Sequence, residues 1–185
     1  PYARPSKSGG AWMSNFVEQS YLLGLKPVIY NVCNFKKPSE GETCLLSWDE
    51  TTTLFHEFGH ALHGMFASQK YPSLSGTNVP RDFVEMPSQF NEHCAADPVI
   101  FANFAKHYKT GAAMPAELVK KMRDAEKFNQ AYGLVENITA CLLDMAWHTL
   151  SPEEAAAVTD INKFQEEALR KANALYTAIP DRKST

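Results

Sequence analysis

The stretch Leu54-Phe55-His56-Glu57-Phe58-Gly59-His60 decides how this chain is interpreted, because two histidines stand four residues apart around a glutamate. On an α-helix, positions four apart lie on one face, one turn above the other, so both imidazoles can reach one metal ion. Glu57 is a step round the helix and reaches a water on that metal, where a carboxylate acts as general base. The motif therefore predicts a metal site held by His56 and His60.

The alternative interpretation of this motif is an ordinary amphipathic helix with two histidines and a glutamate, since short motifs also occur by chance. A catalytic zinc site needs a third protein ligand and an open fourth position. In the long metzincin pattern that ligand is a histidine six residues further on, after an intervening glycine. Here His63 stands at the glycine position and Phe66 at the histidine position, so the metzincin class is excluded.

The segment 79–93 offers four candidates for the third ligand: Asp82, Glu85, Glu92 and His93. The three acidic residues fall at helical spacing, with Glu85 near the middle. A helix packed antiparallel to the first would direct Glu85 at the metal and leave Asp82 or Glu92 to hydrogen-bond a ligand imidazole. Pro87 is expected to kink this helix just past Glu85. Spacing alone favours Glu85 modestly and leaves the other candidates open.

A resemblance covers nearly the whole chain. Residues 56–93, HEFGHALHGMFASQKYPSLSGTNVPRDFVEMPSQFNEH, resemble the zinc-binding core of the thimet-oligopeptidase family of metallopeptidases, and its bacterial peptidyl-dipeptidase (dipeptidyl carboxypeptidase) branch most closely. The stretches GGAWMSNFVEQS, KPVIYNVCNFKKP and LLDMAWHTL also resemble that branch. The resemblance implies one Zn²⁺ per chain, bound by His56, His60 and Glu85, with Glu57 as the catalytic base.

The function that the resemblance implies is zinc-dependent hydrolysis of peptide bonds in short peptides, with release of carboxy-terminal dipeptides. An endo-acting oligopeptidase of the same family is the alternative. For this chain alone, a non-catalytic zinc-binding helical domain is a further alternative. Glu57 argues against it for the parent protein, because a structural zinc site more often has four protein ligands and has no use for a base beside the metal.

The fold that we expect is a mostly helical α+β, zincin-like (gluzincin) metallopeptidase core with a small β-hairpin or sheet next to the metal-binding helix. Members of the family are much longer, with a helical region before this part and a glycine- and tyrosine-rich substrate-binding segment after it. The resemblance therefore implies that residues 1–185 are a partial catalytic domain whose partner is the remainder of that domain. We expect this chain alone to be inactive or nearly so.

The pattern along the chain predicts a hairpin followed by helices. Residues 27–35 are β-branched and aromatic, a turn-rich stretch follows at 36–42, and a second apolar run occupies 43–48. Either strand of this hairpin could be the exposed edge that pairs with an extended substrate. Ser47 or Asp49 caps the metal-binding helix, which runs to about Ser68. Further helices are predicted at 98–109, 115–130, 132–149 and 160–177.

Composition indicates a globular protein and gives no basis for binding nucleic acid or membranes. The 185 residues suffice for about one domain with a sizeable core, and 44% are hydrophobic and 21% charged. A net charge of -3 gives no electrostatic basis for binding nucleic acid or an anionic membrane, and no apolar run reaches the length of a membrane span. We expect a cytoplasmic protein.

The remaining candidate residues have ordinary interpretations. Four cysteines lack metal-ligand spacing and are expected to be free thiols: Cys33, Cys44, Cys94 and Cys141. A disulfide between Cys33 and Cys44 across the predicted hairpin is the alternative. Three residues past His60, His63 turns away from the line of the two ligands and is expected on the helix surface or in the outer shell. The other histidines are expected to be structural, and three aromatics at helical spacing to lie in the core: His93, His107 and His148, and Phe101, Phe104 and Tyr108.

Overall fold

The computed structural model describes residue 6 and residues 9–174 of the chain. Two strands are followed by helices: β1 (Ala11–Val17), β2 (Val28–Cys33), α1 (Trp48–Met65), a short 3-10 helix (Pro72–Leu74), α2 (Met86–Ala96), α3 (Pro98–Phe104), α4 (Ala116–Glu126), α5 (Gln130–His148), α6 (Pro152–Ala157) and α7 (Ile161–Lys171). The chain divides into two compact units, Pro1–Met114 and Pro115–Thr185. The predicted mostly helical α+β class is confirmed.

The strand β2 pairs with a partner that precedes it in the chain. It runs antiparallel to β1, with Ala11 opposite Cys33 and Asn15 opposite Ile29. The predicted strand at 27–35 is thus correct within two residues at each end, but the predicted hairpin with 43–48 is wrong. The two-stranded sheet consists of the segments 11–17 and 28–33.

Helix capping explains why the second apolar run is not a strand. The backbone N–H of Ser47 donates to Glu50 Oε2 at 2.8 Å, and the Ser47 hydroxyl accepts from the Glu50 N–H at 3.1 Å. This capping box starts α1, as predicted for Ser47, and takes up a backbone donor that a sheet ladder would need. Residues 43–47 are irregular and are no candidate for the edge strand.

Helix α1 packs on the two-stranded sheet and on α2. Pro87 lies in the first turn of α2, where its missing N–H costs nothing, and Glu85 is the N-cap residue. The prediction that Asp82 and Glu85 lie within this helix is therefore wrong, as is the prediction that Pro87 kinks it. On α3, the half-buried Phe101 ring contacts Trp48 of α1. The Phe104 ring contacts Phe55, but Phe104 is 41% exposed, so the prediction that it belongs to the core is wrong.

Helix α3 is shorter than predicted, because the chain leaves the helix at Ala105. Lys106 then bridges to Ala113, and Tyr108 lies in this loop with about half of its surface exposed. The prediction that Tyr108 belongs to the core is therefore wrong.

The second unit has four helices in its described residues, 115–174, one more than predicted there. Asn129 adopts a left-handed conformation with φ of 58° and separates α4 from α5. The short α6 was missed, although Ser151 and Glu154 form a capping box at its start. The Trp147 and Phe164 rings of α5 and α7 pack with centroids 4.1 Å apart. The end of the helix predicted at 160–177 lies partly outside the described residues.

Few large apolar side chains are buried in the described part of the chain. The buried hydrophobic residues among 9–174 are Ala61, Ala95 and Ala174, whereas Phe16 and Phe66 are 82% and 78% exposed. The predicted sizeable core is not found within these residues. No helix among them is long and apolar enough to cross a membrane. The four cysteines are free thiols, as predicted.

Candidate metal centre

Two histidines of α1 and one glutamate at the start of α2 converge on one point. The imidazole rings of His56 and His60 have centroids 4.9 Å apart, and Glu85 Oε2 lies 3.2 Å from His56 Nε2 and 3.1 Å from His60 Nε2. One ligand atom from each of the three residues lies within 4.8 Å of the others. The structure thus brings together the three residues predicted as ligands, whereas Asp82 and His93 are outside this cluster.

A second acidic residue of α2 holds the other nitrogen of His56. Glu92 Oε1 lies 2.6 Å from His56 Nδ1. A carboxylate only accepts hydrogen bonds, so Nδ1 carries a proton, and Nε2 is the ring nitrogen that faces Glu85. Of the two residues predicted for this contact, Glu92 makes it and Asp82 does not. His56 is therefore held between two carboxylates of α2.

The Glu85 side chain is ionised in this environment. Burial raises the pKa of its carboxyl, but the hydrogen bond from Ser88 and the nearby charges of His60 and His56 outweigh burial, so the pKa lies below the usual value. The buried Ser88 hydroxyl lies 2.9 Å from Glu85 Oε2 and 2.8 Å from the Glu85 carbonyl oxygen. Metal ligands must be deprotonated, and Glu85 meets this requirement near neutral pH.

The donor set fits a zinc ion. Tetrahedral coordination with metal–ligand distances of about 2.0–2.2 Å places the ligand atoms about 3.3–3.6 Å apart. The contacts of Glu85 Oε2 with the two Nε2 atoms, 3.2 and 3.1 Å, are close to that spacing. Two imidazoles and one carboxylate are also the donors of several catalytic zinc sites with three protein ligands.

Glu57 is a buried acid, and one of its carboxylate oxygens has no partner within the described part of the chain. The residue is 6% exposed, and its Oε2 finds no hydrogen-bond partner among the described residues. It lines a cleft of about 540 Å³ together with His56 and Glu92. Burial, and then the charge of Glu57, raise the pKa of the Cys33 thiol at the end of β2. Buried polar atoms are nearly always paired, so this buried oxygen calls for a partner that the described residues do not supply.

His63 lies on the same helix but outside the cluster. Its ring packs edge-on against Phe83 with centroids 6.1 Å apart, and its Nδ1 is buried without a hydrogen-bond partner among the described residues. Burial, followed by the charge of His60, lowers the pKa of His63. The neutral ring is therefore favoured, and His63 is not one of the grouped ligands.

The sequence of the whole chain matches one family. The family model described as Peptidase family M3 covers residues 1–185. The chain belongs to peptidase family M3. This membership confirms the resemblance that the metal motif and its flanking sequences indicated.

Relatives within family M3 share much of this sequence. Dipeptidyl carboxypeptidase of Escherichia coli (strain K12) is 59% identical over 181 residues, which are 98% of this chain and 26% of that protein. The Salmonella typhimurium dipeptidyl carboxypeptidase is 54% identical with the same shares. Oligopeptidase A of Escherichia coli (strain K12) is 39% identical over 97% of this chain and 26% of that protein. The chain thus spans about a quarter of the length of these relatives.

Gly59 lets the two helices of this M3 site approach each other closely. A β-carbon at this position would lie 2.7 Å from Ser88 Cα, 2.8 Å from the Pro87 carbonyl oxygen and 2.9 Å from Asn91 Cβ. Sequence reasoning missed this role, although a glycine inside a helical pattern often marks a close contact. Because α2 carries Glu85, the space at Gly59 affects the metal site directly.

We expect Gly59→Ala to lower the zinc affinity of the intact protein by about tenfold or more, comparable to the loss of an outer-shell partner. The added methyl group meets backbone atoms of α2, so the helix that carries Glu85 must shift. The matched control is Gly64→Ala, whose methyl would lie 2.5 Å from Ile29 Cδ1 and 2.7 Å from Met13 Cε, the mobile ends of side chains on the sheet. Chelator competition should show a loss for Gly59→Ala alone. Equal affinities would contradict the prediction.

Removal of the Glu92 carboxylate, which holds the His56 ring, should lower the zinc affinity without abolishing zinc binding. We expect Glu92→Leu to lower zinc affinity by about 10–100-fold, because His56 loses the acceptor that fixes its ring and tautomer. Glu92→Gln keeps an oxygen acceptor and should lose less. Titration of both variants with zinc checks this order. A Gln variant that is weaker than the Leu variant would refute the account of Glu92 as a hydrogen-bond acceptor.

Proposed function

We propose that the protein carrying this chain is a zinc-dependent peptidase with a zincin-like site, and that it hydrolyses peptide bonds in short peptides. The observation that carries the proposal is the convergence of His56, His60 and Glu85 within 4.8 Å, next to Glu57, whose buried Oε2 has no partner among the described residues. A closed structural site would have four protein ligands and no adjacent base. Membership of peptidase family M3 supports the same reaction class.

The metal ligands, Glu57 and Glu92 have separate roles in the proposed hydrolysis. Zinc bound by His56, His60 and Glu85 would supply Lewis acidity, which lowers the pKa of a coordinated water toward about 7 and polarises the scissile carbonyl. Glu57, which lines the cleft beside His56, accepts the proton of the attacking water on its carboxylate. It then donates that proton to the nitrogen of the leaving amine, as general acid–base catalysis requires. Glu92 keeps the proton of His56 on Nδ1 throughout.

Release of carboxy-terminal dipeptides is the preferred activity within this class. Two relatives that are 59% and 54% identical are named dipeptidyl carboxypeptidase. An endo-acting oligopeptidase is the second candidate, because oligopeptidase A is 39% identical over nearly the whole chain. We propose short peptides as substrates and the cytoplasm as the location.

The decisive experiment combines metal analysis with a peptide-cleavage assay on the intact protein. We expect about one zinc per chain, hydrolysis of a short blocked peptide, loss of activity with a chelator and recovery with zinc. Product masses separate dipeptide release from internal cleavage. A protein that holds zinc but cleaves no peptide would favour the non-catalytic alternative. The inactivity of residues 1–185 alone stays a prediction, which the same assay on that chain checks.

A further inference from the structure

We propose that Asn91 is a positioning residue of the metal centre, which fixes the register of α2 on α1 so that Glu85 and Glu92 meet the two ring nitrogens of His56. The inference rests on the proposed zinc site. Its starting point is that α2 contacts His56 twice, at 3.2 Å from Nε2 and at 2.6 Å from Nδ1. A slide of α2 along α1 would break both contacts together.

The helices run in opposite directions along this contact. Pro87 and Ser88 lie beside Gly59, and further along α2 the side chains of Asn91 and Glu92 reach Phe55 and His56. Gly59 determines how closely the helices approach. Close approach alone defines the register less sharply than a hydrogen bond does, because the hydrophobic effect is not directional.

A directional contact is supplied by the Asn91 amide. Its Nδ2 donates to the Phe55 carbonyl oxygen at 2.7 Å. That oxygen already accepts the N–H of Gly59 within α1, and its second lone pair is free for Asn91. A carbonyl can only accept, so the amide nitrogen must face it. Phe55 immediately precedes His56, so the bond anchors α2 at the helical turn that carries the first ligand.

The test depends on whether Asn91→Asp makes zinc binding weaker or tighter. Asn91→Asp keeps the size of the side chain but replaces the donor with a carboxylate, which repels the Phe55 oxygen. The added negative charge by itself would favour a cation through Coulomb attraction. Gln89→Glu, at an exposed position of α2, makes the same amide-to-acid change and is the matched control. Loss of register therefore predicts weaker zinc binding, whereas added charge predicts tighter binding.

Zinc affinity of the intact protein is measured by competition with a chromophoric chelator. We expect Asn91→Asp to bind zinc about tenfold or more weakly, with Gln89→Glu at or above the wild-type affinity. Asn91→Leu, which removes the donor without adding charge, should weaken binding as well. The visible absorption of Co²⁺-loaded protein reports coordination geometry and should change in both Asn91 variants, which a purely structural role would leave unchanged.

Three outcomes would overturn the proposal: wild-type zinc affinity in both Asn91 variants, tighter binding by Asn91→Asp, or loss of a cooperative thermal transition in both variants. The last outcome would mean that Asn91 holds the fold rather than the register of α2. Failure of the proposed function looks different, because the wild-type protein itself would then bind no zinc, or would bind zinc and cleave no peptide.

Discussion

Replacement of Glu57 by glutamine is expected to lower turnover of the intact protein by at least about 10²-fold, the low end of what a positioned acid–base group contributes. Glutamine keeps the size of the side chain but cannot accept the proton of the attacking water. Zinc should remain bound, because Glu57 is not among the three grouped ligands. Metal content and steady-state kinetics with a short blocked peptide check both parts.

The unfolding temperature of Glu57→Gln distinguishes a loss of catalysis from a loss of folded protein. Glu57 is 6% exposed and its Oε2 has no protein partner among the described residues. A buried carboxylate without a full set of hydrogen bonds costs more than a neutral amide in the same place, so Glu57→Gln should unfold at the same temperature as the wild type or higher. Glu117→Gln, at an exposed ion pair with Lys121, is the matched control and should change neither activity nor stability. Near-normal turnover with zinc bound would refute the role of Glu57.

The part of the site that the sequence predicts is the part set by helical periodicity. His56 and His60 share a helix, so their common face follows from 3.6 residues per turn alone. The outer-shell role of Glu92 was predicted together with Asp82 as an equal alternative. Spacing could not choose between them, because the choice depends on where α2 begins. Helix α2 starts after Glu85, which leaves Asp82 in the preceding turn.

The errors in the predicted fold have a common physical cause. The apolar run at 43–48 has strand-like residues, but the capping box of Ser47 and Glu50 starts helix α1 at the end of this run. The pairing of β2 with residues 11–17 depends on a long-range contact that local pattern does not encode. Likewise, the contact of Asn91 with Phe55 joins positions 36 residues apart and has no signature in the sequence around either of them. Periodicity thus predicts faces of elements, whereas partners between elements require the fold.

Replacement of Glu85 by alanine is expected to remove zinc from the intact protein, with a loss of affinity larger than the about 10–100-fold typical of an outer-shell partner. The substitution takes away the one carboxylate that lies between the two histidines, at 3.2 and 3.1 Å from their Nε2 atoms. Two imidazoles alone leave a zinc site short of the three protein ligands that catalytic sites use. Activity should fall with metal occupancy and return in part at high zinc concentration.

The fold should tolerate this change, which makes the result interpretable. Ser88 contacts both the carboxylate and the carbonyl oxygen of Glu85, so in the alanine variant its hydroxyl still has the carbonyl as acceptor at the start of α2. The matched control is Asp82→Ala, which removes an exposed acid three residues earlier that spacing alone had also made a candidate ligand. Isothermal titration with zinc should show wild-type affinity for Asp82→Ala and little binding for Glu85→Ala. If Asp82→Ala lost zinc and Glu85→Ala kept it, the third ligand would be Asp82, and α2 would have to begin earlier in the zinc-bound protein.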